Sequence, residues 1–214
     1  MRYEILEDLK KAVIQYDREG ATSLTRKVIS EKIDPIEALN AITDALKQVG
    51  DGFGRGELWL PDLVGAAQAT VSAVPILEEE IRRKGMERES LGTVVIGTVK
   101  GDIHDIGKNM VAALLIAEGF TVRDIGIDVS AQAFVEAVRN YEADILAMSS
   151  LMTTTAPEQR KVISTLKEEG MRGKLKIMIG GGAISQEWAD AIGADGYDPT
   201  APGAAKLART LVRK

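Results

Sequence analysis

The chain has 214 residues, 45% hydrophobic and 28% charged, with a net charge of −5 from 27 basic and 32 acidic side chains. That is ordinary globular composition for one or two domains, and with no long basic run it argues against nucleic acid or anionic membrane as a partner. The absence of cysteine excludes disulfides, thiolate zinc, iron–sulfur clusters and a cysteine nucleophile, and one histidine excludes a multi-histidine metal site.

The start, Met1-Arg2-Tyr3-Glu4, is too charged for a secretory leader, and no stretch is expected to approach a membrane span, so a cytoplasmic location is expected. Up to residue 90 the periodicity is helical. Tyr3 to Tyr16 carries Ile5, Leu6, Leu9, Ala12 and Val13 at helical spacing. Thr22 to Lys32 is a second amphipathic stretch. A third helix is predicted from Ile36 to about Gly50, with Pro35 in its first turn and Asp34 as N-cap. Leu60-Pro61 opens a fourth, running to about Lys84. Four helices with short connections read as a small bundle. A polar linker, Lys84 to Ser90, follows.

Beyond it the pattern alternates. Strands are predicted at Thr93–Val99, Thr121–Gly126, Ile145–Ser149, Lys176–Ile179 and Gly196-Tyr197. Helices are predicted at Lys108–Glu118, Ala131–Tyr141, Ala156–Glu169, Gln186–Ala191 and Pro202–Val212. The strands are continuous apolar runs, as in sheets covered on both faces. The expected fold is α/β: an N-terminal four-helix bundle over 1–89, then a doubly wound five-stranded parallel sheet, flavodoxin- or Rossmann-like, over 90–214. Ligands of such sheets bind outside the carboxyl ends of the strands.

The one histidine lies at such an end, in Asp102-Ile103-His104-Asp105-Ile106-Gly107. One imidazole nitrogen can bind a metal while the other donates to Asp102, which fixes the tautomer and raises the basicity of the ligand. Gly107 lets the backbone pass close to something bulky. A loop histidine bonded to an aspartate is the plain alternative. With so few protein ligands, any metal must arrive with most of its ligands attached, as in a macrocycle, or be held by carboxylates. A phosphate-loop reading fails, because five residues separate Gly101 from Gly107 and Asn109 stands where Ser or Thr is needed.

Two further segments fall at strand ends. Ser149-Ser150-Leu151-Met152-Thr153-Thr154-Thr155 offers small hydroxyls to a buried polar ligand, or is a polar loop with an N-cap. Gly180-Gly181-Gly182 leaves a slot for a flat ligand, or is a flexible turn.

Asp102-x-His104-x-x-Gly107, then Ser149-x-Leu151, then the Gly180–Gly182 run, in that order, resemble the cobalamin-binding signature. The resemblance covers nearly the whole chain. It is closest to the corrinoid proteins of methylamine, quaternary amine and methanol methyltransferase systems, which are similar to the cobalamin-binding region of methionine synthase. The Ser149–Thr155 segment resembles the amine systems more than the methanol ones.

The resemblance implies cobalamin (as methylcobalamin or a related corrinoid) bound base-off, with His104 as the lower cobalt ligand and Asp102 bonded to it. Thr155 falls where the family has a hydroxyl completing the relay. Ser149 and Thr153 match positions that contact the displaced nucleotide tail, in a slot lined by two of Gly180, Gly181 and Gly182. Phe53-Gly54-Arg55-Gly56-Glu57-Leu58-Trp59-Leu60 resembles the helical cap motif, in which Phe53 and Leu60 would shield the upper face of the corrin. Both would otherwise be bundle core, and Trp59 would be core or cap packing, or would touch the corrin edge.

The implied function is a methyl carrier without turnover of its own. It takes a methyl group from an amine-type substrate on a partner methyltransferase and hands it to a second methyltransferase with a thiol or tetrahydrofolate-type acceptor. A reductive activase is an optional third partner. The alternatives are the small subunit of an adenosylcobalamin mutase, a cobalamin- or light-responsive regulator, and a cofactor-free flavodoxin-like interaction domain.

Overall fold

The computed structural model describes residues 2–86 and 90–212. Its backbone separates into two compact units, one carrying the N-terminal helices and the other the sheet. The helical unit contains α1 (Arg2–Ile14), α2 (Arg18–Ser30), α3 (Pro35–Gly54) and α4 (Leu60–Arg83). Leu9, Leu39, Ile42, Leu46, Leu63 and Leu77 are fully buried in it. In α3 the three- and four-residue spacing of Leu39, Ile42 and Leu46 gives one apolar stripe to bury.

Caps set the helix starts. Asp34 accepts the Ile36 N–H at 2.8 Å and Pro35 occupies the first turn, as the sequence predicts. Helix α2 begins at Arg18, four residues before the predicted Thr22, because the Asp17 carboxylate accepts the Gly20 N–H at 2.8 Å and caps it there. Helix α3 continues past Gly50 to Gly54, taking in Phe53. Gly52 is buried against Leu58, whose Cδ1 would lie 2.9 Å from an added Cβ.

One expectation is corrected in α4. It is 24 residues long and holds an 18-residue window with a mean hydropathy of 1.3, long and apolar enough to cross a bilayer by length and composition alone. The physical account of that apolarity lies in packing: Leu63, Ala66, Ala67, Ala69, Ala73, Val74 and Leu77 are all buried in the protein. The expected Lys84–Ser90 linker falls in part on residues 87–89, outside the described residues.

The second unit contains β1 (Thr93–Thr98), α5 (Ile106–Ala117), β2 (Thr121–Asp124), α6 (Ala131–Asn140), β3 (Ile145–Ser149), α7 (Ala156–Glu168), β4 (Lys176–Gly180), α8 (Gln186–Ile192), β5 (Gly196–Tyr197) and α9 (Ala201–Val212). All five strands are parallel, in the order β2-β1-β3-β4-β5. Every residue of β3 but the last is buried, as expected of a strand covered on both faces. Phe134, Val135, Leu146, Ile163, Leu166 and Ile177 form part of the core on the α6–α7 side.

The strand order reverses direction between β1 and β3, the switch point where doubly wound sheets bind ligands. Register puts Thr98, Ser149 and Gly180 side by side at the carboxyl edge. The three segments singled out in the sequence therefore leave the sheet at one level. Two details differ from expectation. Gly107 lies in the first turn of α5 rather than in the loop, and Gly180 ends β4, so only Gly181 and Gly182 follow the strand.

Candidate functional site

The loop after β1 is pinned from several sides. Gly101 has φ +80, a left-handed conformation that favours glycine, and its N–H donates to Asp128 Oδ1 at 2.7 Å. Lys100 Nζ pairs with the same carboxylate at 2.9 Å, and the Asp128 N–H donates to the Asp102 carbonyl at 3.0 Å. The Thr98 hydroxyl donates to the His104 carbonyl at 3.0 Å. This scaffold buries Asp102 completely.

The Asp102 carboxylate collects donors from two loops. Oδ1 accepts the His104 backbone N–H at 3.1 Å and lies 2.7 Å from His104 Nδ1. Oδ2 accepts the Leu151 N–H at 2.8 Å and the Thr155 hydroxyl at 2.8 Å, with the Met152 N–H farther off at 3.4 Å. Burial pushes this carboxyl upward, but the N–H and ring of His104, the Thr155 hydroxyl and the Leu151 N–H outweigh it and hold it well below the usual carboxylate range. An ionised carboxylate only accepts, so Nδ1 of the neutral ring carries the proton and Nε2 presents its lone pair. Among the described residues Nε2 has no partner, and the side chain is 48% exposed.

The predicted residues after β3 take different places. Thr155 is buried and bonded to Asp102, which joins the β1 and β3 loops. Leu151 contributes its N–H to the same carboxylate while its side chain is exposed. Ser149 ends β3, half-buried, and Thr153 is exposed. Around His104 in the sequence and at neighbouring strand ends, Ile103, Ile106, Ile127 and Leu151 are exposed aliphatics. No atom lies within 4 Å of a Cβ added at Gly107, so that position is open.

The glycines have a packing role that the sequence does not disclose. Gly181 has φ +120, and a Cβ there would sit 1.9 Å from the Ser150 carbonyl oxygen. A Cβ on Gly182 would sit 2.7 Å from Leu151 Cδ1, whereas one on Gly180 meets nothing closer than 4.0 Å. Gly181 and Gly182 are therefore the two that close approach requires. They admit the β3–α7 loop against the β4–α8 loop.

Sequence reasoning missed the buried roles of three polar groups. Ser150 is fully buried, with Oγ 2.8 Å from Thr155 Oγ1. Gln159, also fully buried, donates to the carbonyls of Met148 at 3.1 Å and Gly180 at 3.3 Å, and accepts from Trp188 Nε1 at 3.1 Å. Lys108 is buried and ion-paired with Asp124, with Asn109 Oδ1 at 2.7 Å. A buried polar group needs such partners, but the sequence does not show which they are.

In the helical unit, Phe53 is half-buried near the end of α3. Leu60 is 51% exposed and Trp59 76% exposed, which overturns the bundle-core reading for both. The corner that carries them is fixed by Asp62, whose carboxylate accepts the Trp59 N–H at 2.6 Å.

Fold and site together define an α/β protein that offers one oriented imidazole at a sheet switch point. Among the described residues no group of three His, Cys, Asp or Glu side chains gathers to hold a metal ion. Comparison with known proteins narrows this class. Residues 92–206 match a B12 binding domain family, and residues 5–78 match a second B12 binding domain family. A corrinoid protein of Desulfitobacterium hafniense is 41% identical over 216 residues, covering 100% of both chains. A trimethylamine corrinoid protein of Methanosarcina barkeri is 41% identical over 199 residues, covering 92% of each. A solved methanol:cobalamin methyltransferase complex of M. barkeri aligns at a TM-score of 0.78 and 30% identity, over 98% of this chain and 80% of that one. The chain belongs to the B12-binding corrinoid protein family, whose cofactor is cobalamin.

Proposed function

We propose that this chain is the corrinoid methyl carrier of a methyltransferase system, with His104 as the lower ligand of cobalt in base-off cobalamin. The observation that carries the reading is the chain of bonds from Thr155 through Asp102 to His104 Nδ1, which leaves Nε2 of the half-exposed ring without a partner among the described residues. The residues fit the group: one imidazole held by Asp102 and exposed aliphatic side chains for an apolar ring edge.

Bound cobalamin supplies a cobalt centre able to accept a methyl group from one partner and release it to another. The protein's part is orientation and electronics. Asp102 accepts from Nδ1, so it holds the tautomer and makes the Nε2 lone pair a more basic ligand. Thr155 and the Leu151 N–H keep that carboxylate ionised and fixed. Ser149 and Thr153, with Gly181 and Gly182 as the matching pair, are the residues we assign to the nucleotide tail. Phe53 and Leu60, in the proposed cap domain 1–89, are assigned to shielding the corrin, and the domain 90–214 to binding it. Partners would be a substrate methyltransferase of the amine type, a second methyltransferase and a reductive activase. The match of residues 5–78 to a B12 binding domain family favours the carrier over a mutase small subunit, which usually lacks the helical cap.

The test is the ultraviolet–visible spectrum of protein reconstituted with hydroxocobalamin and desalted, beside His104→Ala. Wild type should retain one corrinoid per chain, and the variant should lose it or show an altered axial field. A chain that retains none refutes the reading. An unchanged axial-nitrogen signature in electron paramagnetic resonance of the Co(II) form removes His104 as ligand.

A further inference from the structure

We propose that Ser150 is a positioning residue for the axial imidazole: its buried hydroxyl turns Thr155 toward Asp102, and through Asp102 fixes the ring of His104. The inference rests on His104 being the cobalt ligand, but the ring itself can be observed without cofactor.

A hydroxyl has one proton and two acceptor sites. Thr155 Oγ1 has three neighbours: Asp102 Oδ2 at 2.8 Å, Ser150 Oγ at 2.8 Å and the Met152 carbonyl at 3.1 Å. Its proton therefore has a choice of acceptors. Ser150 Oγ has its own choice between Thr155 Oγ1 at 2.8 Å and the Met152 carbonyl at 3.3 Å, and the shorter contact is with Thr155. When Ser150 donates to Thr155, the Thr155 proton must point away from it. The charged acceptor, Asp102, then takes it. Without Ser150 the Thr155 proton is free to rotate to the Met152 carbonyl, and Asp102 loses its donor for that fraction of time.

Ser150 is well placed to impose this order. It is completely buried, so water does not compete. Its N–H donates to the Gly180 carbonyl at 3.0 Å, and its own carbonyl is the atom that leaves no room for a side chain at Gly181. The main chain of Ser150 is thus clamped between β3 and the glycine turn while its side chain reaches the relay. The relay therefore has four members, Ser150, Thr155, Asp102 and His104, and its far end touches the glycines.

His104 is the only histidine in the chain, so its two ring nitrogens give unambiguous ¹⁵N resonances in labelled protein without cofactor. Wild type should show the neutral ring protonated at Nδ1. In Ser150→Ala the Asp102 carboxylate, no longer held full time by the Thr155 donor, accepts more strongly from Nδ1, so the Nδ1 resonance should shift and the minor tautomer, protonated at Nε2, should fall by up to about threefold, the range of one weak neutral hydrogen bond. Ser150→Cys keeps the volume but donates weakly, and should follow alanine; it carries the test if the alanine variant does not fold. In a Thr155→Val background the Ser150 substitution should add nothing, because the intermediate hydroxyl is gone. Ring resonances unmoved by Ser150→Ala and Ser150→Cys overturn the proposal, and so does an equal response with Thr155→Val present. Corrinoid retention is read on separate samples. A wild type that binds none while its ring responds as stated would refute the carrier reading and leave the positioning result intact.

Discussion

At the scale of single residues, Asp102 concentrates the chemistry. It is buried, ionised and served by donors from its own loop and from the β3–α7 loop. Asp102→Asn keeps the shape but turns an N–H₂ group toward donors on one side or the other. With the ring of His104 still held, the Leu151 N–H is left without an acceptor. The expected cost is about 2 kcal/mol at neutral pH, the penalty for an unsatisfied buried donor. The pH dependence has a definite sign. The Asp102 carboxyl is held below its ordinary range, so the folded chain binds fewer protons than the unfolded one near the unfolded value of about 3.9. Its contribution is fully present above about pH 5 and is lost as pH falls. Urea unfolding of wild type and Asp102→Asn should thus differ at pH 7 and converge as pH is lowered through the carboxylate range. A difference that stays constant or widens on acidification contradicts the assigned charge state.

At the scale of elements, the glycine turn after β4 gives a graded prediction. Gly181→Ala meets both a left-handed φ and a carbonyl oxygen at 1.9 Å, and should cost about 3 kcal/mol or more. Gly182→Ala meets only the end of the Leu151 side chain at 2.7 Å, which can turn aside, and should cost about 1 kcal/mol. Gly180→Ala, with 4.0 Å to spare, should stay within about 0.5 kcal/mol. Equal midpoints for all three variants in urea would refute this ordering. The triplet also shows where sequence reading stops. Three consecutive glycines are visible in the chain, but which of them opposes a backbone depends on Ser150, some thirty positions away. Strand ends are legible to within a residue or two, because each strand is a short apolar run between polar turns. The early start of α2 is legible in principle through Asp17. The buried roles of Ser150 and Gln159 are not, since hydroxyls and amides look the same in a solvated loop and in a core. The Asp102–His104 pair is local and was readable; its bond to Thr155 spans 53 positions and came from family resemblance.

At the scale of the whole molecule, the question is what the helical unit adds to a sheet that already carries the imidazole. Bundle core and corrin shield make opposite demands on a side chain. A core residue is buried and its loss destabilises the fold; a shielding residue is left accessible and its loss spares the fold but exposes the ligand. Leu63 and Leu60, three residues apart at the start of α4, separate the two. Leu63 is fully buried, so Leu63→Ala should cost about 2–5 kcal/mol. Leu60 is 51% exposed, so Leu60→Ala should shift stability by less than about 0.5 kcal/mol. If Leu60 shields the corrin, the same substitution should speed the photolysis of bound methylcobalamin, and Phe53→Ala should do so as well. The two readouts are independent, since unfolding midpoints report the bundle and photolysis reports access to the upper face of the ligand. Unchanged photolysis in Leu60→Ala and Phe53→Ala, with full corrinoid retention, would remove the shielding role. It would leave the exposure of Leu60 and Trp59 to be explained by docking of another protein.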